Sequence, residues 1–469
     1  MPREYRYQLL ENQLRAVIRE QRILPGERLP SVRNLCQLHQ ASRATVLHAL
    51  QRLEAQGLIE ARPKSGFYVR LPPRPLPSPP RINRQIEAPQ PVTVSELLLD
   101  IMRRGAAFDL LPGQGEGDVP AGITALNRSV GRALRRQHGD DHQYYDEPAG
   151  LPVLREQLAG RLARRGAAVH AGQLCITSGC QHSLFLGLMA CCRPGDVVAV
   201  ESPGFYGVLQ LLEQLQLQAV EIPSSSADGM DMDALEMALQ RWPIRACVVS
   251  PAFSTPTGAL LPEVSRQRLL ALAEQYDLAV IEDDIYADTA FSQIPDPLLA
   301  LDYSGRVILC GSFSKSLSRD LRLGWIAGGR WHQKILQLKL VTQLASGRAL
   351  QQGVADFLAD GSYSAHLRRQ RYLLCQQRDQ LLAALREWPV TVSCSVPEGG
   401  LALWVVLPPT QDTRQLYGAA LAEGIVITPG PLFSVAGGFR HCLRLSFAHQ
   451  WNAARLRALQ RFGDLLQPA

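Results

Sequence analysis

Lysine is scarce in this sequence: among 469 residues only Lys64, Lys315, Lys334 and Lys339 carry that side chain. Lys315 stands in Gly311-Ser312-Phe313-Ser314-Lys315-Ser316, after a β-branched run at Val307–Cys310 and seven residues before Arg322. A lysine amine forms Schiff bases with aldehyde cofactors. The serines and the planar fork of an arginine beside it suit a phosphate group. Taken alone, a lysine near serines is more often a surface residue, and it is the rarity of lysine here that favours chemistry. Two further clusters converge on the same kind of ligand. Thr177-Ser178-Gly179-Cys180-Gln181 closes a predicted strand and opens a predicted helix, where backbone N–H groups can hold a phosphate. Glu282-Asp283-Asp284-Ile285-Tyr286 ends an apolar strand, the position at which open α/β sheets bind ligands. A carboxylate there can pair with a protonated pyridine nitrogen. Ordinary strand–helix turns and acidic strand ends are common without any such role.

The elements that must position these residues read as alternating strands and helices. Short apolar runs at Leu174–Thr177, Val197–Glu201, Ala246–Ser250, Leu278–Glu282, Val307–Cys310 and Leu323–Ala327 predict strands. Helical patterns at 180–192, 207–217, 231–241 and 262–276 lie between them. This alternation predicts an α/β unit with a mostly parallel sheet covered on both faces. From about residue 365 a long Arg-rich helix leads to short strands at Thr391–Val396, Leu401–Leu407 and Cys442–Phe447, which predicts a smaller α+β lobe.

A different unit precedes this one. Residues 72–91 hold eight prolines, which predicts an extended, semi-rigid linker. The chain thus divides into residues 1–70, a linker over 71–95, and a large unit over 96–469. Residues 1–95 carry 15 Lys and Arg against seven Asp and Glu, a net of +8, whereas the remainder nets −2. The basic excess points to a polyanion partner for the N-terminal part alone. Residues 5–21 predict an amphipathic helix ended by Pro25-Gly26. Ser31 and Ser42 are expected N-caps of two short helices joined by Gln40-Ala41. The second helix buries Val46, Ala49, Leu50 and Leu53 and turns Arg43, Thr45, His48 and Arg52 outward. That pair is a helix-turn-helix arrangement, and residues 58–69 predict a β-hairpin wing with Gly66 at its turn.

The run LPSVRNLCQLHQASRATVLHALQRLEAQGLIEARPKSGFYV resembles the winged-helix domain of the GntR family of bacterial regulators. The resemblance implies contacts to double-stranded DNA from Arg33, Ser42, Arg43, Thr45 and the Lys64–Gly66 turn. Arg52 and Arg62 are candidate phosphate contacts by charge alone. From about residue 105 to 469 the chain resembles fold type I aminotransferases, which bind pyridoxal 5′-phosphate (PLP). That resemblance implies Schiff-base formation at Lys315. It implies Asp283 on the pyridine nitrogen, Tyr286 on the phenolic oxygen and Phe205 stacked on the ring. It places Gly179, Cys180, Gln181, Ser312, Ser314 and Arg322 around the phosphate. Tyr145, in Tyr145-Asp146-Glu147-Pro148, matches the tyrosine that reaches the neighbouring subunit's phosphate, so a homodimer is implied. Arg444 matches the arginine that holds a substrate α-carboxylate. One position departs: Thr255-Pro256-Thr257-Gly258 stands where the family has Asn-Pro-x-Gly, and Thr255 offers a hydroxyl of shorter reach.

The whole layout resembles the MocR regulators, a GntR-like winged helix joined to an aminotransferase-like unit. It implies a PLP-dependent transcriptional regulator that senses PLP or an amino compound. The alternative is a working aminotransferase with a DNA-binding appendage. Composition is compatible with both: 46% of residues are hydrophobic and 20% charged. Ten cysteines without a CxxC pair argue against a disulfide scaffold or a zinc grid, and no metal is expected. The longest apolar run, 184–192, is far short of the ~20 residues that span a bilayer. The charged N-terminus predicts no signal peptide, so a soluble cytoplasmic protein is expected.

Overall fold

The structure, a computed structural model, describes residues 6–20, 22–55, 58–62, 65–70, 76–80, 86–93, 95–105, 109–113 and 119–466. Three helices, α1 (Arg6–Arg19), α2 (Val32–Leu38) and α3 (Arg43–Ala55), precede a two-stranded wing, β1 (Ile59–Arg62) and β2 (Gly66–Val69). Leu10, Leu14, Leu35, Val46, Ala49, Leu50 and Leu53 form their core, closed by Ile59 and Val69 from the wing. Both expected caps are present: Ser31 Oγ accepts from the Asn34 N–H, and Ser42 Oγ from the Thr45 N–H. Each satisfies an amide that the helix itself leaves without a partner.

The large unit begins with β3 (Gln90–Pro91), α4 (Glu96–Arg103), α5 (Ala121–Arg135) and α6 (Pro152–Ala163). It continues with β4 (Leu174–Thr177), α7 (Cys180–Cys191), β5 (Val197–Ser202), α8 (Tyr206–Gln214), β6 (Gln218–Ser225), β7 (Gly229–Met230), α9 (Met232–Arg241) and β8 (Ile244–Val249). Then come α10 (Glu263–Gln275), β9 (Ala279–Asp283), β10 (Val307–Ser312), β11 (Gly324–Ala327), α11 (His332–Gln343) and α12 (Arg348–Ala359). The strands order as β3-β6-β5-β8-β9-β10-β11-β4, with β7 beside β6. Pairing is parallel from β6 through β10 and antiparallel at both ends of the sheet. Alternation along each strand fills two layers. Val198 and Val200 of β5 face the core shared with α7 and α8, whereas Val197 and Ala199 face that shared with α9 and α10.

Helix α13 (Ser362–Leu385) leads into the small lobe, where β12 (Ser393–Cys394), β13 (Ala402–Val406), β14 (Thr428–Pro429) and β15 (Cys442–Ser446) form an antiparallel sheet. Helices α14 (Thr413–Ala422) and α15 (Ala453–Asp464) complete it. The described parts of the Pro-rich segment hold no helix, and they are not free. Leu76 packs on the small-lobe core, and the Pro77 carbonyl accepts from the Cys394 N–H at 3.0 Å. Ile86 packs beside α9 and α10, and Gln90–Pro91 pairs with the edge of β6. No helix among the described residues is long and apolar enough to cross a membrane.

Candidate functional site

Strand geometry decides which acid at the end of β9 faces the cleft. Ala279 and Ile281 point into the layer under α7, and Val280 into the opposite one. Asp283 therefore follows Ile281 toward α7, while Glu282 and Asp284 turn away. The hydrogen bonds agree. The Cys180 thiol, the first residue of α7, donates to Asp283 Oδ1 at 3.1 Å. Glu282 instead accepts from the Leu298 and Leu299 amides, and Asp284 is held bidentately by Arg165. Burial pushes the Asp283 carboxyl up to about 6, against the pull of the Cys180 thiol and Lys315. A cation placed against Asp283, such as a pyridinium nitrogen, would favour its ionised form further.

Lys315 lies in the turn that follows β10, its side chain partly exposed and near enough to Asp283 and Cys180 to feel their charge. Its amine is lowered from 10.5 to about 7, by burial first and then by the positive charges of Arg319 and Arg444; Asp283 and Cys180 act in the opposite sense. An amine with this pKa is largely available as a nucleophile near neutrality.

A phosphate-sized cradle adjoins it. Ser312 Oγ and Ser314 Oγ are 2.8 Å apart, and Ser312 Oγ is fixed by the Leu323 carbonyl and the Ser314 amide. The Arg322 guanidinium donates to the Ser178 carbonyl at 2.9 Å and reaches Ser314 Oγ at 3.5 Å. Arg322 itself adopts a positive φ of 46°, a backbone state that costs a non-glycine residue about 1–2 kcal/mol. Gly179 is the N-cap of α7 at φ 101°, and no side chain caps that helix. A Cβ there would lie 2.7 Å from the Arg322 guanidinium. Open helix N–H groups, two hydroxyls and a guanidinium form a donor set that fits a phosphate.

Other expected residues fall around this centre. Tyr286 is buried, and burial pushes its phenol up while Arg444 holds it down. The Thr255 hydroxyl is buried beside that phenol and helps to lower it. Arg444 is 2% exposed in the middle of β15, with Trp404 and Thr428 opposite it on the flanking strands. Its guanidinium lies over the rings of Phe433 at 5.3 Å and Tyr206 at 5.6 Å. Phe205 packs between the large-unit and small-lobe cores, its ring so close over Gly207 that a Cβ there would meet it at 2.4 Å. The Gln181 side chain is not aimed at the cradle: its amide donates to the Gly207 carbonyl at 2.7 Å and ties α7 to α8. Tyr145 stands outside the cleft, 80% exposed beside Tyr144.

Three groups escaped the sequence reading. Arg319 and Tyr206 belong to the electrostatic surroundings of Lys315 and Arg444. The third is a relay behind the lysine turn, in which Ser316 Oγ and Tyr363 Oη are 2.7 Å apart, Tyr363 donates to Asp288, and Arg161 clasps Asp288 bidentately. Arg319 carried a signal, a second cation four residues after Lys315; the relay joins residues 200 positions apart and carried none.

On the winged helix, Arg33, Ser42 and Arg43 are exposed, and Thr45, half-buried, shares a hydrogen bond with Ser42. All lie at or near the starts of α2 and α3. Gly66 takes φ 113° at the wing turn, facing the Arg28 guanidinium, a neighbour that sequence reasoning passed over. Lys64 lies outside the described residues. Arg52 is engaged internally: it pairs with the buried Glu11 and so ties α3 to α1. Arg62 pairs with Glu60 and stacks over Tyr68 at 4.2 Å.

Residues 109–462 match the family model of class I and II aminotransferases, and residues 6–69 that of the gntR family of bacterial regulatory proteins. Among full-length relatives, the uncharacterized HTH-type transcriptional regulators YjiR and YdcR of Escherichia coli K12 are each 35% identical. The alignment covers 99% of both chains for YjiR, and 98% of this chain and 99% of that one for YdcR. Among solved structures, Pyrococcus horikoshii kynurenine aminotransferase in complex with PMP superposes with a TM-score of 0.72 at 28% identity, covering 80% of this chain and 94% of that one. The aminotransferase match gives pyridoxal 5′-phosphate as the cofactor, and the donor set around Arg322 fits its phosphate. With an aminotransferase model over most of the chain, a gntR model ahead of it and full-length relatives that are HTH-type transcriptional regulators, the chain belongs to the MocR-type regulators, which join a gntR-family domain to a class I and II aminotransferase domain.

Proposed function

We propose that this regulator reads a specific DNA duplex through Arg33, Ser42, Arg43 and Thr45, with the Lys64–Gly66 wing turn alongside. The large unit controls that reading in response to PLP or an amino compound. In this reading PLP is carried on Lys315, with Asp283 facing its ring nitrogen and Ser312, Ser314, Arg322 and the start of α7 holding its phosphate. Bound PLP supplies an electrophilic carbon and an electron sink. Asp283 keeps the ring cationic, and Arg444 orients a carboxylate-bearing amine. Tyr145 extends from the surface to a second copy of the chain, so the working unit is a homodimer.

The observation that carries the proposal is the gathering of Lys315, Asp283, the phosphate cradle and the buried Arg444 in one chain with an exposed recognition helix. The test is selection of duplexes from a random pool by the full-length, PLP-loaded protein. One enriched sequence with two half-sites is expected, because a dimer presents two recognition helices. Recovery of unrelated sequences at equal frequency would contradict the proposal.

A further inference from the structure

Helix α13 touches both ends of the molecule's business. At 100° per residue, Tyr363, His366 and Gln370 share one face, and that face meets the lysine turn. Tyr363 Oη bonds Ser316 Oγ at 2.7 Å, His366 Nε2 donates to the Ser316 carbonyl at 3.0 Å, and Gln370 donates to the Lys315 carbonyl at 3.4 Å. The turn that carries the cofactor lysine is thus held from outside by α13. Tyr372, Cys375 and Asp379 lie on the opposite face, nearly half a turn around. There Asp379 forms a 3.0 Å ion pair with Arg70, and both carboxylate and guanidinium are largely shielded. Arg70 is itself part of the winged helix, its amide donating to the Leu58 carbonyl at the base of the wing. Glu54, at the end of α3, is the other winged-helix charge that acts on Tyr372.

From Tyr363 to Asp379 the helix rises about 24 Å. An uninterrupted helix over that span is a stiff element, each residue tied to the next turn by a backbone hydrogen bond. The Arg378 guanidinium, bonded to Asp379 and to the Pro397 carbonyl, fixes the acid's side chain to the small lobe.

We propose that α13 couples the cofactor site to the winged helix. A shift of the Lys315–Ser316 turn on loading is passed through Tyr363, His366 and Gln370 to the helix, and leaves it through the Asp379–Arg70 pair. This inference rests on the regulator reading above and names its route. Two states that differ at the lysine turn then differ in how the winged helix is docked, which is the differential contact a ligand needs to shift an equilibrium.

The experiment measures affinity for a duplex enriched from a random pool by the PLP-loaded full-length protein. It compares apo and PLP-loaded forms of the native chain, Asp379→Arg, and the charge-reversed Arg70→Glu/Asp379→Arg double variant. In the native chain the two forms should differ by about fivefold or more. Asp379→Arg should bring that ratio close to one while still binding PLP, and the double variant should restore it. A ratio in Asp379→Arg equal to the native one would overturn the route and leave the regulator reading standing. A native ratio of one would overturn this inference; the regulator reading itself fails only if no amino compound added to the PLP-loaded chain changes the affinity either. If Asp379→Arg fails to fold, hydrogen exchange of the native chain decides: PLP loading should change protection within residues 370–385, and unchanged protection there would contradict the route.

Discussion

Charge around Lys315 sets what the cleft can do at a given pH. Burial and the cations of Arg319 and Arg444 lower its amine to about 7, so the reactive neutral form rises as pH climbs to that point. PLP capture by the apoprotein should therefore accelerate up to about pH 7 and level off above it; a rate still climbing tenfold per unit toward pH 10 would refute the shifted amine. Arg319→Ala removes a like charge, so the midpoint of the same profile should move to higher pH. Borohydride reduction of the loaded protein followed by peptide mapping should place the label on Lys315 and on neither Lys334 nor Lys339. Gly179→Ala should weaken PLP binding by roughly five- to thirtyfold, from about 1–2 kcal/mol of backbone strain at positive φ and a Cβ 2.7 Å from the Arg322 guanidinium. An equilibrium titration that found native affinity would show that Arg322 gives way without cost. Tyr363→Phe leaves Asp288 and Ser316 each short of a buried partner, and urea unfolding should register a loss of about 1–3 kcal/mol.

Elements differ in how much of themselves the sequence betrays. Strands β4, β5, β8, β9 and β10 are buried on both faces, Arg245 of β8 excepted, and read as short apolar runs. The caps Ser31 and Ser42 were equally plain, because a hydroxyl before a helical pattern has few other uses. Strand β6 was missed: it contains Pro223, and its residues alternate between burial and partial exposure. The docking of Leu76, Pro77, Ile86 and Gln90–Pro91 could not be foreseen either, since proline-rich sequence announces an extended chain and not the surface on which it lies. Among Glu282, Asp283 and Asp284, only family resemblance singled out the middle one; the strand's alternation supplies the physical reason. Gln181 shows the opposite limit, as its place in the turn was right and its side chain is spent on Gly207. The winged helix yields an element-level prediction. Arg43→Ala should weaken binding to the selected duplex and, where Arg43 reads a base edge, relax discrimination at one position by about 1–3 kcal/mol. The logarithm of affinity should fall against that of salt with a slope of about −0.9 per phosphate neutralised. A salt-independent affinity would argue against the basic face as the contact surface.

For the whole molecule, the question is whether one chain spends its aminotransferase cleft on turnover or on control. In the proposed reading Lys315, Asp283, Arg322 and Arg444 give a bound amino compound its site. The winged helix, for its part, is tied to the large unit through Arg70 and Asp379, and the described parts of the segment after it touch both lobes. Coupling between two such sites is reciprocal: an effector that tightens DNA binding must itself bind more tightly when DNA is present. The most direct test is operator affinity of the full-length protein, measured without PLP, with PLP, and with PLP plus each of a panel of amino acids, alongside turnover with a keto-acid acceptor. The account predicts that at least one ligand that binds at Lys315 changes operator affinity by about fivefold or more, with little turnover. Rapid multiple turnover, with operator affinity indifferent to every ligand that reacts, would contradict it.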